Sequence, residues 1–111
     1  VSVVIIKDRV TQKDIRKASE EYGVYIKVVV DIEKNLLAAG GEWHADAEKI
    51  LVEKGSKQKN LWGGGIDLNA KNIETVALIN LRPNQGNNSQ EILDAEIREK
   101  FIKIVKEKFR L

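Results

Sequence analysis

Hydrophobic and polar positions alternate most sharply over residues 24–33, where Val24, Ile26, Val28, Val30 and Ile32 are separated by Tyr25, Lys27, Val29, Asp31 and Glu33. Strand side chains point alternately to opposite faces, so this pattern predicts a strand with one core face and one mostly polar face. Ahead of it, residues 1–6 form an apolar run with β-branched side chains in both phases, which reads as an interior strand. Between the two, Thr11 fits a helix N-cap and Asp14 a first-turn acid that favours the helix dipole. Ile15, Ala18 and Tyr22 recur at helical spacing, and Gly23 supplies a left-handed stop. Lys34-Asn35 suits a tight hairpin turn into a return strand over residues 36–39, because Asn tolerates positive φ.

The second half is less uniform. Trp43, Ala47, Ile50 and Leu51 follow helical spacing and Gly55 could end the element, so residues 42–55 favour a helix, with a strand as the alternative. Residues 61–68 and 75–81 read as two strands joined by Asn69-Ala70-Lys71-Asn72, the second of them central. Residues 82–89 form a polar loop, after which Asp94 caps a helix with the stripe Ile97, Phe101, Ile104, Val105 and Phe109. Glu96 with Lys100 and Glu99 with Lys103 make i, i+4 pairs in the favourable order. The expected fold is α+β: a single domain over residues 1–111, ordered β-α-β-β-α-β-β-α, with a mostly antiparallel sheet and helices packed on one face.

Composition removes several classes of function. The absence of cysteine excludes disulfide scaffolds, thiolate zinc sites and cysteine nucleophiles. No apolar run approaches the roughly 20 residues of a membrane span, and no secretion signal is legible, so a cytoplasmic location is the default expectation. The 19 basic and 17 acidic residues leave a net charge of +2, which argues against a non-specific nucleic-acid binder without excluding a specific one. Lys and Glu dominate while Met and Cys are absent, a mild thermophile signature against which eight Asn and four Gln count.

Three segments could carry chemistry. In Gly40-Gly41-Glu42-Trp43-His44-Ala45-Asp46-Ala47-Glu48, the single histidine, His44, stands with Asp46 and Glu48 as candidate catalytic residues. On a strand all three share a face; on a helix only His44 and Glu48 do. An oxygen-rich set with one imidazole, His44 with Asp31 and Glu48, suits a divalent metal such as Mn, Mg or Fe, although HExxH is absent. The bland alternative is a helix start with first-turn acids and a packing histidine. In the second segment, residues 81–89, Arg82 offers a fork for carboxylate or phosphate, with Asn84, Gln85 and Asn87 as donors, and Trp62 as an added contact. The alternative is a turn with Arg82 in a structural ion pair. The third, Trp62-Gly63-Gly64-Gly65, lacks the helix and Lys-Ser/Thr of a phosphate loop, and no organic-cofactor motif is present. It reads as a strand closely approached by another part of the chain, with Trp43 and Trp62 as core residues.

The chain resembles a family of short archaeal and bacterial proteins known only as a domain of unknown function. The likeness spans residues 28–101 and rests on GGEWHADAE at 40–48, Leu61-Trp62-Gly63, and INLRPNQGN at 79–87. The family pattern has a polar or bulky residue near Gly64-Gly65 and a proline near Ala95. The first departure weakens a phosphate-loop reading further, and the second fits a helix that begins after Asp94. The resemblance implies no activity. Two expectations therefore stand: a binding or assembly domain, open to homodimerisation, that takes a small anionic ligand or a protein partner through residues 82–89; or a metal-dependent or acid–base enzyme, hydrolase-like, centred on His44. They are separated by whether His44 and Arg82 converge in one cleft.

Overall fold

The computed structural model describes residues 3–111, so the expectation of a strand at Val1 and Ser2 lies outside the described residues. The elements are β1 (Val3–Ile6), α1 (Gln12–Ala18), β2 (Tyr25–Asp31), β3 (Leu36–Gly40), α2 (His44–Glu53), β4 (Leu61–Asp67), β5 (Asn72–Glu74) and α3 (Ala95–Phe109). The order is the one the hydrophobic pattern predicts, the class is α+β, and the ambiguous segment is helical. All four strand pairings are antiparallel, in the sheet order β1-β3-β2-β4-β5.

Local chemistry places the boundaries. Thr11 and Asp14 form a reciprocal cap: the Asp14 amide donates to Thr11 Oγ1 at 3.1 Å, and the Thr11 amide to the Asp14 carboxylate at 2.9 Å. Asp94 Oδ1 accepts from the Glu96 and Ile97 amides at the start of α3. In the β2–β3 turn, Asn35 sits at φ 54°, and Asp31 Oδ1 accepts from the Glu33 and Lys34 amides.

Helices lie on both faces of the sheet. α1 and α3 cover the face carrying Val28, Val30, Leu37 and Ala39, with Phe101 and Val105 at its centre. α2 covers the other face, where Ala47 and Leu51 pack on Val29, Ala38 and Leu61. Two of the three helices thus share a face as expected, and the third does not. The expected polar face of β2 is consequently half core: Val29 and Asp31 are fully buried, because α2 and the chain after it close over them.

Two strands sit differently from expectation. β1 is an edge strand rather than an interior one; its apolar residues in both phases arise because helices flank the edge on both faces. The expected central strand over 75–81 is replaced by β5, three residues on the opposite edge. Beyond Glu74 the chain leaves β4 and pairs with a later segment, the Ala77 amide donating to Gln90 O and the Ile92 amide to Thr75 O.

The alternation of hydrogen bonds fixes which backbone groups face outward. Ile32 N donates to Asn60 O and Leu68 N to Val24 O, so the even-numbered residues of β2 and β4 bond to each other. Carried across the sheet by its register, this leaves odd-numbered residues of β4 facing the β5 side. Val4 and Ile6 face β3, and the amide and carbonyl of Val3 and Ile5 face away from the sheet.

Candidate functional site

The free edge of β4 is closed by side chains where β5 stops. Asn80, fully buried, presents its carboxamide to Gly63 as a strand would present a peptide. Its Oδ1 accepts from the Gly63 amide at 2.8 Å and its Nδ2 donates to Gly63 O at 2.9 Å. Nδ2 also donates to Gln90 O at 2.9 Å and Thr75 O at 3.3 Å. Next along the edge, the Arg82 guanidinium donates to Leu61 O, and its Nε donates to Ile79 O at 2.9 Å. Arg82 also lies 3.7 Å from Glu48 on α2 and 4.9 Å above the Trp62 ring. Burial pushes the guanidinium pKa down and the Glu48 charge opposes that.

Asn87 does the same work for the loop. Arg82 and Asn87 exchange backbone hydrogen bonds around a turn in which Gly86 adopts φ 75°. The Asn87 carboxamide donates to Asn80 O, Ser89 O and Glu91 O and accepts from the Leu93 amide. Of the residues expected to bind a ligand, Arg82, Asn87 and Trp62 are therefore buried in the fold. Asn84 and Gln85 remain exposed at the loop tip, with Gln85 Nε2 reaching Lys59 O at 3.2 Å. They rim a depression of about 360 Å³ that Glu48, Gln58 and Arg82 also line.

The glycines of β4 are explained by close approach. A Cβ on Gly63 would stand 2.7 Å from Ala77 Cβ, one on Gly64 would stand 2.1 Å from Glu74 O, and one on Gly65 would overlap the Tyr25 ring. The strand is thinned at Gly64 for Glu74 O and Phe101, and at Gly63 and Gly65 for Ala77, Ile79 and the Tyr25 ring.

His44 opens α2, and its Nε2 lies 2.6 Å from Gly64 O, a carbonyl already in the β2–β4 ladder. A carbonyl only accepts, so Nε2 carries the hydrogen and Nδ1 is the acceptor of the neutral ring. Burial holds the His44 pKa below 6.5; the Gly64 bond opposes this, and the Lys27 ammonium adds to it. Glu48, one turn on, lies 3.7 Å from Arg82 and lines the same depression, whereas His44 does not line it and is held at Gly64, so the His44 ring and Arg82 are not brought into one cleft. The other expected partners are occupied elsewhere. Asp46 caps α2 by accepting from the Trp43 amide at 3.0 Å. Asp31 Oδ2 accepts from Ser56 Oγ at 2.7 Å, tying the β2–β3 turn to the α2–β4 connection. Among the described residues, no group of three or more His, Asp and Glu side chains is arranged to hold a metal ion.

Three features escaped the sequence reading. Lys27 Nζ stands 4.5 Å above the Tyr22 ring and 6.0 Å from that of Tyr25, whose hydroxyl donates to Glu74. Burial and Glu74 push the Tyr25 pKa up to about 12. Trp43, expected in the core, is 63% exposed, because it precedes the first turn of α2 instead of lying on the helix's packed face. The third is a run of outward apolar side chains: Val76, Leu78, Leu81 and Leu93 are 45, 68, 46 and 52% exposed. Reading 75–81 as a central strand hid them; Asn80 in the middle of that run was the available signal against it.

Among the described residues no helix is long and apolar enough to cross a membrane. No curated protein and no solved structure matches the chain. A family model described as "Protein of unknown function (DUF5674)" matches residues 4–108, nearly the whole chain, and the protein belongs to that family.

Proposed function

We propose that this domain is a binding module whose residues 76–93 dock a protein partner through apolar contacts. The observation that carries the reading is a division of labour within that segment. Asn80, Arg82 and Asn87 turn inward and hold it rigid, while Val76, Leu78, Leu81 and Leu93 turn outward to water. A loop with so little regular structure has no packing reason to display four large apolar side chains, and rigid loops on a scaffold are where binding residues sit. A small anion is the weaker occupant, because the Arg82 donors are taken by Leu61, Ile79, Gln85 and Glu48.

Each leucine buried at an interface contributes about 2 kcal/mol, roughly thirtyfold in affinity. The test compares wild type with Leu78→Asp/Leu81→Asp and with Val52→Asp, an exposed position on α2. A partner cross-linked by wild type and by the Val52 variant is purified and its affinity measured directly. The loop variant is expected to weaken that affinity at least thirtyfold with its unfolding midpoint unchanged. An unchanged affinity refutes the reading, and chemical shifts at Arg82 on titration with inorganic phosphate would favour an anion instead.

A second reading rests on His44. Its Nδ1 is an acceptor with no partner among the described residues, and burial with the nearby Lys27 keeps the ring neutral, the form in which an imidazole can accept a proton. Asp46 and Glu48 would position the helix and not the proton. A substrate whose turnover is abolished by His44→Gln, with the fold intact by circular dichroism, would establish it.

A further inference from the structure

We propose that the outer edge of β1 is a homodimer interface, at which a second copy of this chain adds its own β1 antiparallel to extend the sheet. The inference is independent of the apolar loop and uses the opposite edge of the molecule.

The two edges are treated differently. On the β5 side, the outward groups of β4 meet β5, the Asn80 carboxamide or the Arg82 guanidinium. β5 itself is only three residues long, a common way to blunt an edge. Among the described residues, β1 carries no such protection. Its sequence is Val-Val-Ile-Ile, with no charge, proline or bulge. The amides and carbonyls of Val3 and Ile5 face outward, and Val3, Val4 and Ile5 are only half-buried. An apolar edge without charge or proline is a template for strand addition.

A second copy fits because the edge is complementary to itself. Val3 paired with the partner's Ile5, and Ile5 with the partner's Val3, gives four backbone hydrogen bonds about a twofold axis at Val4. Beside the strand lies a depression of about 420 Å³ lined by Ile5 and by charges of both signs, the basic Lys7, Arg9 and Lys54 and the acidic Asp8 and Asp14. Charges of both signs at one rim let the same patch face itself across a twofold axis, where a single-sign rim would repel. The strand itself places no like charges opposite each other.

The wild-type chain is expected to sediment as a dimer at concentrations of roughly 100 μM, and a monomer there overturns the proposal. Val3→Pro removes one outward donor from each copy without touching the β3 ladder, and proline is tolerated at the first residue of an edge strand. It is expected to weaken dimerisation about tenfold or more. Unchanged dimerisation in that variant, or its loss in Leu78→Asp/Leu81→Asp instead, overturns the assignment. If Val3→Pro fails to fold, hydrogen exchange at the wild-type Ile5 amide decides. Slower exchange on concentration supports the β1 interface, and exchange independent of concentration refutes it.

Discussion

Replacing Asn80 by Ala tests whether a side chain stands in for a strand. The carboxamide satisfies the amide and carbonyl of Gly63 and the carbonyl of Gln90 with bonds of 2.8–2.9 Å, and reaches Thr75 O at 3.3 Å. Each such bond contributes about 1 kcal/mol net, and a buried group left unpaired costs about 1–3 kcal/mol. With three close backbone partners at a fully buried position, Asn80→Ala is expected to cost about 3–5 kcal/mol. Asn80→Asp is the sharper variant. It keeps the acceptor for Gly63 N but sets a carboxylate against the carbonyls of Gly63 and Gln90, so at neutral pH it should cost at least as much as Ala. Acid should recover part of the loss, since the protonated carboxyl regains one donor. Urea unfolding reads both. With a slope of about 1.5 kcal/mol/M, the midpoint of Asn80→Ala should fall by about 2–3 M at an unchanged slope. A loss below about 1 kcal/mol for Ala, or an Asp variant more stable than Ala at pH 7, would refute the account of how the β4 edge is closed.

Two further predictions concern the same region. Gly64→Ala would bring a Cβ to 2.1 Å from Glu74 O and 2.7 Å from Phe101, so it should cost about 3 kcal/mol or more in denaturant unfolding and loosen β5; a cost under about 1 kcal/mol would show that the strand is not closely packed there. His44 has a folded-state pKa held below its unfolded value of 6.5, so the unfolded chain binds the extra proton first. Its contribution to stability is present above pH 6.5 and is lost as pH falls through the depressed folded value. The stability difference between wild type and His44→Gln should therefore shrink as pH falls from 7 to 5, and a difference that does not change with pH would contradict it.

Much of the fold was legible because short-range rules decide it. Thr11 and Asp94 as caps, Gly23 and Asn35 at positive φ, and the α3 stripe are each determined within a few residues of chain. The site was less legible. The motif at 79–87 contains the types of residue that bind anions, and in the sequence Arg82 and Asn87 look available. Whether a polar side chain is available depends on which unpaired backbone groups lie near it, and Leu61 and Gly63 come from 17–21 residues away. Trp43 and Trp62 show the same limit, one exposed and one buried, because their exposure follows from how α2 and β4 sit in the fold.

By itself the sequence determined the α+β class, the order and type of the elements outside residues 69–81, and the exclusion of cysteine chemistry, since hydrophobic period, capping and composition are local quantities. Only the tertiary structure decided that helices cover both faces, that β1 is an edge, and that the polar motif closes the sheet while leucines face outward. Those outcomes depend on which strand lies beside which. Backbone groups left unpaired by that arrangement must find partners wherever the fold brings them, and here they are found in Asn80, Arg82 and Asn87.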